Sequence, residues 1–593
     1  PQGTLYGRNT IGGAINVVSK APDPDFGGVL KVGLGNFDSY LAAGTVTGGL
    51  GDTLSGRLSF SSSDRTGFTT NTLTGEHGNS DNTDAIRLKL SYLPTDSLDI
   101  LLMADYARIR NDGQIQEPAG EPPFFASPLV PSVPPSPDPF AQDINEVGFT
   151  NRDVWGVASK IDWHTEALTL TSISSYRESH VGELRDLDST TLQVWRHLID
   201  EDSRQFSQEL RFSSAEPGAP MTLGGRLNWI LGFYYYYENT DRLDTYLFGA
   251  DSLFAFLNGR TAVTDTYFVG LKTQSLAVFG QASFDITDQL SLTAGARFTY
   301  DEKKGDIIAT STVFGPSFVP NYAVPVNDDW HSFDPKVTLD YHVTDDFLAY
   351  ATFSTGFKSG GYQYNAATAA IAAVPFNPEE VTAYEAGIKS QWADRRLQLN
   401  ASGFYYDYKD LQLPIFVPLG GGRGTNIISN AAQSTIKGVE VEMVALMTEN
   451  LDVRAGYAFL DARYDKYVTL LGDFSGNRMI RSPKHSANAV VQYRRTIADL
   501  GTATLRGEWA YTDDIFFEAD EGARPFTSQK GYHLFNASLH LETTDGRWTA
   551  SLWGKNLTDK TYLATVFALP QTPLLTYALP RTWGINLTWR YGN

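Results

Sequence analysis

The chain reads as an all-β protein, a 22-stranded antiparallel transmembrane β-barrel, on three observations. From Gly28 onward there are about twenty-two segments of strand length in which apolar and polar residues alternate. Their connections alternate strictly between roughly ten tight turns and eleven mostly longer loops, as in outer-membrane barrels with short periplasmic turns and long outer loops. An even strand number also brings both ends of the barrel to one side. A soluble sandwich has no reason to sort its connections in this way over the whole chain.

Residues 1–25 stand apart from this rhythm. They hold Gly3, Gly7, Gly12 and Gly13 at turn-like spacings, and Ala14 to Lys20 is a β-branched-rich run expected to form a short strand. Residues 26–593 show no linker or shift of composition, so they are read as one barrel although 593 residues would suggest several soluble domains. Tight turns fall at Gly51–Asp52, Pro94–Asp96, Thr344–Asp346, Ala393–Asp394, Thr448–Asn450 and Thr544–Gly546, all with ordinary Asp, Gly and Asn turn chemistry.

The strand faces can be assigned from the two-residue period. Leu292, Ala294, Ala296, Phe298 and Tyr300 form an apolar wall, and Ser291, Thr293, Arg297, Thr299 and Asp301 a wet one. Similar apolar stripes run through Leu276, Val278, Ala282 and Phe284, through Val337 to Val343, and through Phe535 to Leu541. Phe347 to Ser354 is apolar or aromatic on both faces, which suggests packing inside the lumen. Aromatics near strand ends, at Phe60, Tyr92, Tyr106 and Tyr234 to Tyr237, suit a membrane-interface girdle. In the final strand Ile585, Leu587, Trp589 and Tyr591 alternate with Asn586, Thr588 and Arg590. A propeller or solenoid would need an internal repeat, and none is found.

Composition excludes several functions. With 19% charged and 13% aromatic residues the chain is not disordered. The nearly apolar run from Ala366 to Phe376 is too short for a membrane helix. There is no cysteine, hence no disulfide, thiolate metal site or cysteine nucleophile. A net charge of −21 argues against nucleic acid. The nine histidines are scattered without ligand spacing, so no metal site and no cofactor are expected. No G-x-S-x-G elbow occurs, and Gly420 to Gly424 lacks the lysine and context of a phosphate loop. The protein is therefore not read as an enzyme.

Four stretches carry a family resemblance. Pro1-Gln2-Gly3-Thr4-Leu5-Tyr6-Gly7-Arg8-Asn9-Thr10-Ile11-Gly12-Gly13, continuing to Lys20, resembles the end of the plug domain of TonB-dependent outer-membrane receptors. Phe353 to Tyr362 and Phe376 to Ser390 resemble segments of the same barrels, and Asn556 to Tyr562 with Pro580 to Gly584 resembles their last hairpin. The resemblance implies a 22-stranded barrel filled by a plug, of which residues 1–25 are the tail, with Gly3, Leu5, Tyr6, Gly7, Gly12 and Gly13 as its motif. The rest of the plug and the TonB-engaging segment lie outside this chain, which is expected to be part of an ordinary receptor; a plugless barrel is the alternative.

The implied function is active import of a scarce solute, a ferric siderophore first, across the outer membrane of a Gram-negative bacterium with energy from TonB. A passive pore or structural barrel is the competing class. Expected partners are the TonB complex, the ligand, outer-membrane lipids and the assembly machinery, for which Leu587, Trp589 and Tyr591 are the candidate signal. Candidate ligand contacts are Phe124 and Phe125, in the proline-stiffened segment from Asn111 to Thr150, and Tyr362. For that segment a solvated exterior loop is the other reading.

Overall fold

The structure is a computed structural model describing residues 1–592 apart from 120–122, 124, 131–135, 216–218, 316, 421–422, 471 and 570–571. Barrel strands β1 (Gly27–Gly35), β2 (Tyr40–Gly49), β3 (Leu54–Asp64), β4 (Thr83–Thr95), β5 (Leu98–Asp112) and β6 (Phe149–His164) come first. There follow β7 (Leu168–Asp186), β8 (Trp195–Ser214), β9 (Leu227–Phe248), β10 (Val263–Asp285), β11 (Leu290–Ser311), β12 (Tyr322–Thr344), β13 (Phe347–Lys358) and β14 (Glu379–Trp392). The circuit ends with β15 (Leu397–Gly420), β16 (Arg423–Leu446), β17 (Leu451–Thr469), β18 (His485–Ile497), β19 (Gly501–Thr512), β20 (Tyr532–Glu542), β21 (Trp548–Lys555) and β22 (Thr582–Tyr591).

Each strand pairs antiparallel with its chain neighbours, and β1 pairs with β22 from Gly28↔Tyr591 to Gly35↔Gly584, so the sheet closes on itself. All ten even-to-odd connections lie at one end and the long loops at the other. The expected turns at Pro94–Asp96, Thr344–Asp346 and Thr544–Gly546 fall at the first end, and the 113–148 loop at the second. This is the 22-stranded antiparallel barrel that the alternation predicts. Closure satisfies every ladder hydrogen bond internally, the condition for crossing hydrocarbon with strands.

The assigned faces hold. Leu292, Phe298 and Tyr300 are exposed on the outside, whereas Arg297, Thr299 and Asp301 are buried towards the lumen. Ile585, Leu587, Trp589 and Tyr591 are all exposed on the outside. Arg590 on the opposite face donates to Thr549 Oγ1 at 2.7 Å. Two expectations need correction. Tyr234 and Tyr236 turn inward, each stacked by an arginine, Arg297 at 5.5 Å and Arg8 at 4.7 Å, because four consecutive tyrosines must divide between two faces. Ala14 to Lys20 forms no strand: it has no ladder partner among the described residues, and Ile15, Val17 and Val18 are exposed. A strand-like sequence needs a neighbouring strand edge, and the closed wall offers none.

Strand length divides the barrel. β7 to β12 and β15 to β17 run to 19–24 residues. At about 3.3 Å per residue these rise well above an apolar band of roughly 25 Å. Their upper parts enclose the buried apolar clusters of the molecule.

Candidate functional site: an aromatic cavity above a lumenal segment

The N-terminal segment occupies the lumen. Residues Gly3–Tyr6 form one helical turn lodged against β12 and β13. A Cβ at Gly3 would lie 3.0 Å from Gly356 Cα and 3.1 Å from the Thr355 carbonyl oxygen, so a larger residue would push the segment off the wall by a few tenths of an ångström. Thr4 Oγ1 donates to the Asp334 carbonyl at 3.1 Å. Gly7, at φ +80°, lies on the guanidinium of Arg297, where a Cβ would meet Nη2 at 2.7 Å. Arg8 pairs with the fully buried Asp301 at 3.6 Å, and neither carboxylate oxygen of Asp301 has a hydrogen-bond partner among the described residues. Asn9 donates its N–H to the Phe357 carbonyl at 3.0 Å and accepts from the Ser359 N–H at 3.2 Å, clasping the root of the 359–378 loop.

Beyond this clasp Ile11 is buried among Val381, Tyr408, Leu411, Ala432, Tyr464 and Tyr467. Leu5 is half-buried, Tyr6 is exposed, and Gly12 and Gly13 have open space around them. The chain then descends towards the turn end, where Lys89 and Arg57 hold its carbonyls and Gly49 N–H donates to the Pro24 carbonyl at 2.8 Å.

Above the segment, on the long-loop side, lies a cavity of about 420 Å³. Its wall is supplied by Arg185 of β7, Trp195 and His197 of β8 and Tyr246 of β9; loops add Phe125, Phe318, Asn365 and Phe567. The aromatic wall is tightly built. Phe125 stands 5.2 Å from Trp195 and 5.5 Å from Phe318, edge to face, while His197 lies parallel to Tyr246 at 4.3 Å. Such ring pairs add about 0.5–1.5 kcal/mol each beyond the area they bury.

Below the rings runs a charged ladder. His197 Nε2 meets Asp244 Oδ1 at 2.7 Å, and Arg242 donates to Asp244 at 2.7 Å and to Glu201 at 3.0 Å. The loops above are cross-braced: Leu574–Tyr577 pairs with both Leu563–Phe567 and Glu117–Pro118. Tyr577 donates to Glu117 at 2.6 Å, while burial pushes the Glu117 carboxyl above its ordinary value against that bond.

Asp188, in the 187–194 connection, orients the ring wall. Its carboxylate accepts from Thr190 N and Oγ1 on one oxygen and from Val194 N and Trp195 N on the other, at 2.6–3.2 Å. Burial nevertheless pushes this carboxyl up to about 6.

Of the ligand candidates read from sequence, Phe125 lines the cavity, while Tyr362 is buried against Trp330 in a separate cluster and Phe124 lies outside the described residues. Trp195, Tyr246, Phe318 and Phe567 were not found from sequence. For Trp195 and Tyr246 the available signal was aromatic residues on the lumen face of strands too long for the membrane; Phe318 and Phe567 sit in loops, and the convergence of all four depends on loop geometry.

A ligand-sized cavity at the outer mouth of a 22-stranded barrel whose lumen holds an anchored segment is the architecture of an outer-membrane receptor. The family model for the TonB-dependent receptor-like β-barrel matches residues 110–557, and the chain belongs to that family. It is 25% identical over 599 residues to the pesticin receptor of Yersinia enterocolitica, covering 99% of this chain and 79% of the relative. A probable TonB-dependent siderophore receptor of Acinetobacter baumannii, PiuA, is 22% identical over 50% of this chain and 38% of its own length. The crystal structure of the ferric yersiniabactin uptake receptor FyuA from Yersinia pestis superposes with a TM-score of 0.81 at 20% identity, over 100% of this chain and 84% of that one. The protein is thus an outer-membrane barrel of a Gram-negative bacterium.

Proposed function

We propose that the chain imports a ferric siderophore, captured first in the aromatic cavity and drawn inward when TonB displaces the lumenal segment. The single observation carrying this reading is the cavity of about 420 Å³ over a segment clasped, through Asn9, to the root of a loop that supplies its wall. Siderophore and pesticin receptors among its relatives support the same substrate class. In this reading residues 1–25 act as the tail of a plug, with Phe125, Trp195 and Tyr246 as ligand contacts, and Leu587, Trp589 and Tyr591 are read by the assembly machinery.

Uptake of iron-55 as ferric yersiniabactin tests it, in cells lacking their own ferric receptors and producing this receptor as its host makes it. Accumulation should exceed the empty-vector level, stop on adding a protonophore, and fall at least tenfold at limiting chelate in Tyr246→Ala. Accumulation that survives the protonophore would instead identify a passive pore. Should ferric yersiniabactin fail, ferric catecholates form the second panel, and failure of both removes the reading.

A further inference from the structure

The wall of the aromatic cavity holds two polar groups that its own packing leaves unspent. Trp195 and Asp186 both line it, and they are only 6% and 4% exposed. The Trp195 ring stands 5.2 Å from Phe125, edge to face, and lies parallel to Phe248 at 6.2 Å, yet its Nε1–H has no acceptor among the described residues. A buried indole N–H ordinarily finds one. Both groups belong to the upper wall: the 187–194 connection joins β7 to β8 at the long-loop end, and Leu187 N–H donates to the Trp195 carbonyl at 3.2 Å. Among the described residues, none of 1–25 lines the cavity.

Asp186 ends β7. Its Oδ1 accepts from the Asp188 N–H at 3.1 Å, while Oδ2 has no partner among the described residues. No ion pair there joins Asp186 or Asp188 to a basic group, and the adjacent Arg185 is paired with Glu183. Two buried carboxylates side by side cannot both stay ionised without a cation. Asp188 accepts from four donors and keeps the charge near neutral pH. Asp186 therefore carries the proton: burial, and then the Asp188 charge, push its carboxyl well above the ordinary value. In that form Oδ2–H is a hydrogen-bond donor.

We propose that Trp195 Nε1–H and Asp186 Oδ2–H are the polar recognition pair of the cavity, set to hold a carboxylate or phenolate oxygen on the outer face of an iron chelate. The inference deepens the import reading and rests on it. Two neutral donors among aromatic rings suit an anionic oxygen, because hydrogen bonds to a charged acceptor are the strong ones. They offer nothing to an ammonium or guanidinium, which brings only donors of its own. The rings supply contact area and the pair supplies orientation, the usual division of labour in a small-molecule site. Donors left unpaired by the fold are costly to keep, and a bound oxygen is what would repay them.

Calorimetric titration of the full receptor in detergent micelles provides the test, with ferric yersiniabactin or, where that is not bound, a ferric catecholate. Trp195→Phe keeps a ring and removes the N–H, and it should weaken binding about tenfold, the worth of one hydrogen bond to a charged acceptor. Asp186→Leu should do the same, while Asp186→Asn, which puts an N–H donor in place of the O–H, should recover affinity to within about threefold of wild type. Equal affinity in Trp195→Phe and wild type overturns the pair, as does Asp186→Asn binding no better than Asp186→Leu. Heat-modifiable migration shows whether each barrel has closed, and Trp195→Phe decides alone if the Asp186 variants fail to fold. A chelate bound equally by wild type and all variants removes this inference and leaves the import reading standing; a wild type that binds neither chelate removes both.

Discussion

The lower and upper parts of β10 and β11 use one two-residue alternation against two different solvents. Below, Leu276, Val278 and Phe284 of β10 and Leu292 and Phe298 of β11 face outward and are exposed, as lipid-facing residues must be. Above, Val263, Tyr267, Val269, Ile307 and Ala309 face inward and are almost fully buried, while Thr264, Thr266, Lys304 and Asp306 face outward. The ladder between the strands runs without a register shift from Asp265↔Ser311 to Asp285↔Ser291. No bulge is needed to exchange the apolar face; the surroundings change instead. Within the bilayer, burial is outside the wall, and above it burial is inside, so the switch near Leu271 to Leu276 marks the membrane's outer edge.

That contrast can be broken most severely from the inside of the upper part. Ile307→Ala should cost roughly 2–5 kcal/mol, the usual range for emptying a packed aliphatic site, in denaturant unfolding from lipid vesicles. A cost near zero would mean that the upper wall is not a packed core. On the outside of the lower part, Val278→Arg should cost about 2–4 kcal/mol if it lies near the midplane. Thr266→Arg, outward on the same strand but above the membrane, should stay within about 0.5 kcal/mol. Equal penalties for these two would erase the proposed edge.

A smaller effect of opposite sign is expected at Tyr267, whose buried hydroxyl has no hydrogen-bond partner among the described residues. Tyr267→Phe removes that unsatisfied group and should stabilise by about 1 kcal/mol in the same assay. The gentlest probe is pH. Burial pushes the Asp188 carboxyl up to about 6 and its buried neighbour Asp186 well above the value of about 3.9 for a free aspartate. Protonation therefore favours the folded loop: its stabilisation is complete below pH of about 4 and is lost as pH rises through about 6. Protease cleavage within residues 187–194 should be several-fold slower at pH 5 than at pH 7.5, and Asp186→Asn/Asp188→Asn should flatten the dependence.

The same contrast explains what the sequence made legible. In the membrane band, lipid imposes one rule on every strand, so Leu292 to Tyr300 or Ile585 to Tyr591 could be assigned to a face from alternation alone. The strand number and the sorting of turns from loops followed from the same rule. Above the band each residue answers to particular neighbours. Phe125 gains its place from Trp195 and Phe318, residues far apart in the chain, and only the folded loops show that Tyr362 packs on Trp330 instead of lining the cavity. Ala14 to Lys20 misled for a related reason: propensity describes a segment, whereas pairing requires an available edge.

The seam between β1 and β22 has a consequence in time. Gly28 has its ladder partner at Tyr591, so the first strand made must wait for the last before either is satisfied on both sides. Every intermediate of the chain exposes two unpaired edges, and the loop that must close is nearly the whole barrel, a topology in which folding is slow and exposed edges invite aggregation. Few partial products can persist in such a pathway. A barrel lacking only the ten-residue β22 would hold almost all the contacts of the finished wall and still be an open sheet, which would make the β21–β22 hairpin the kinetic checkpoint of the barrel.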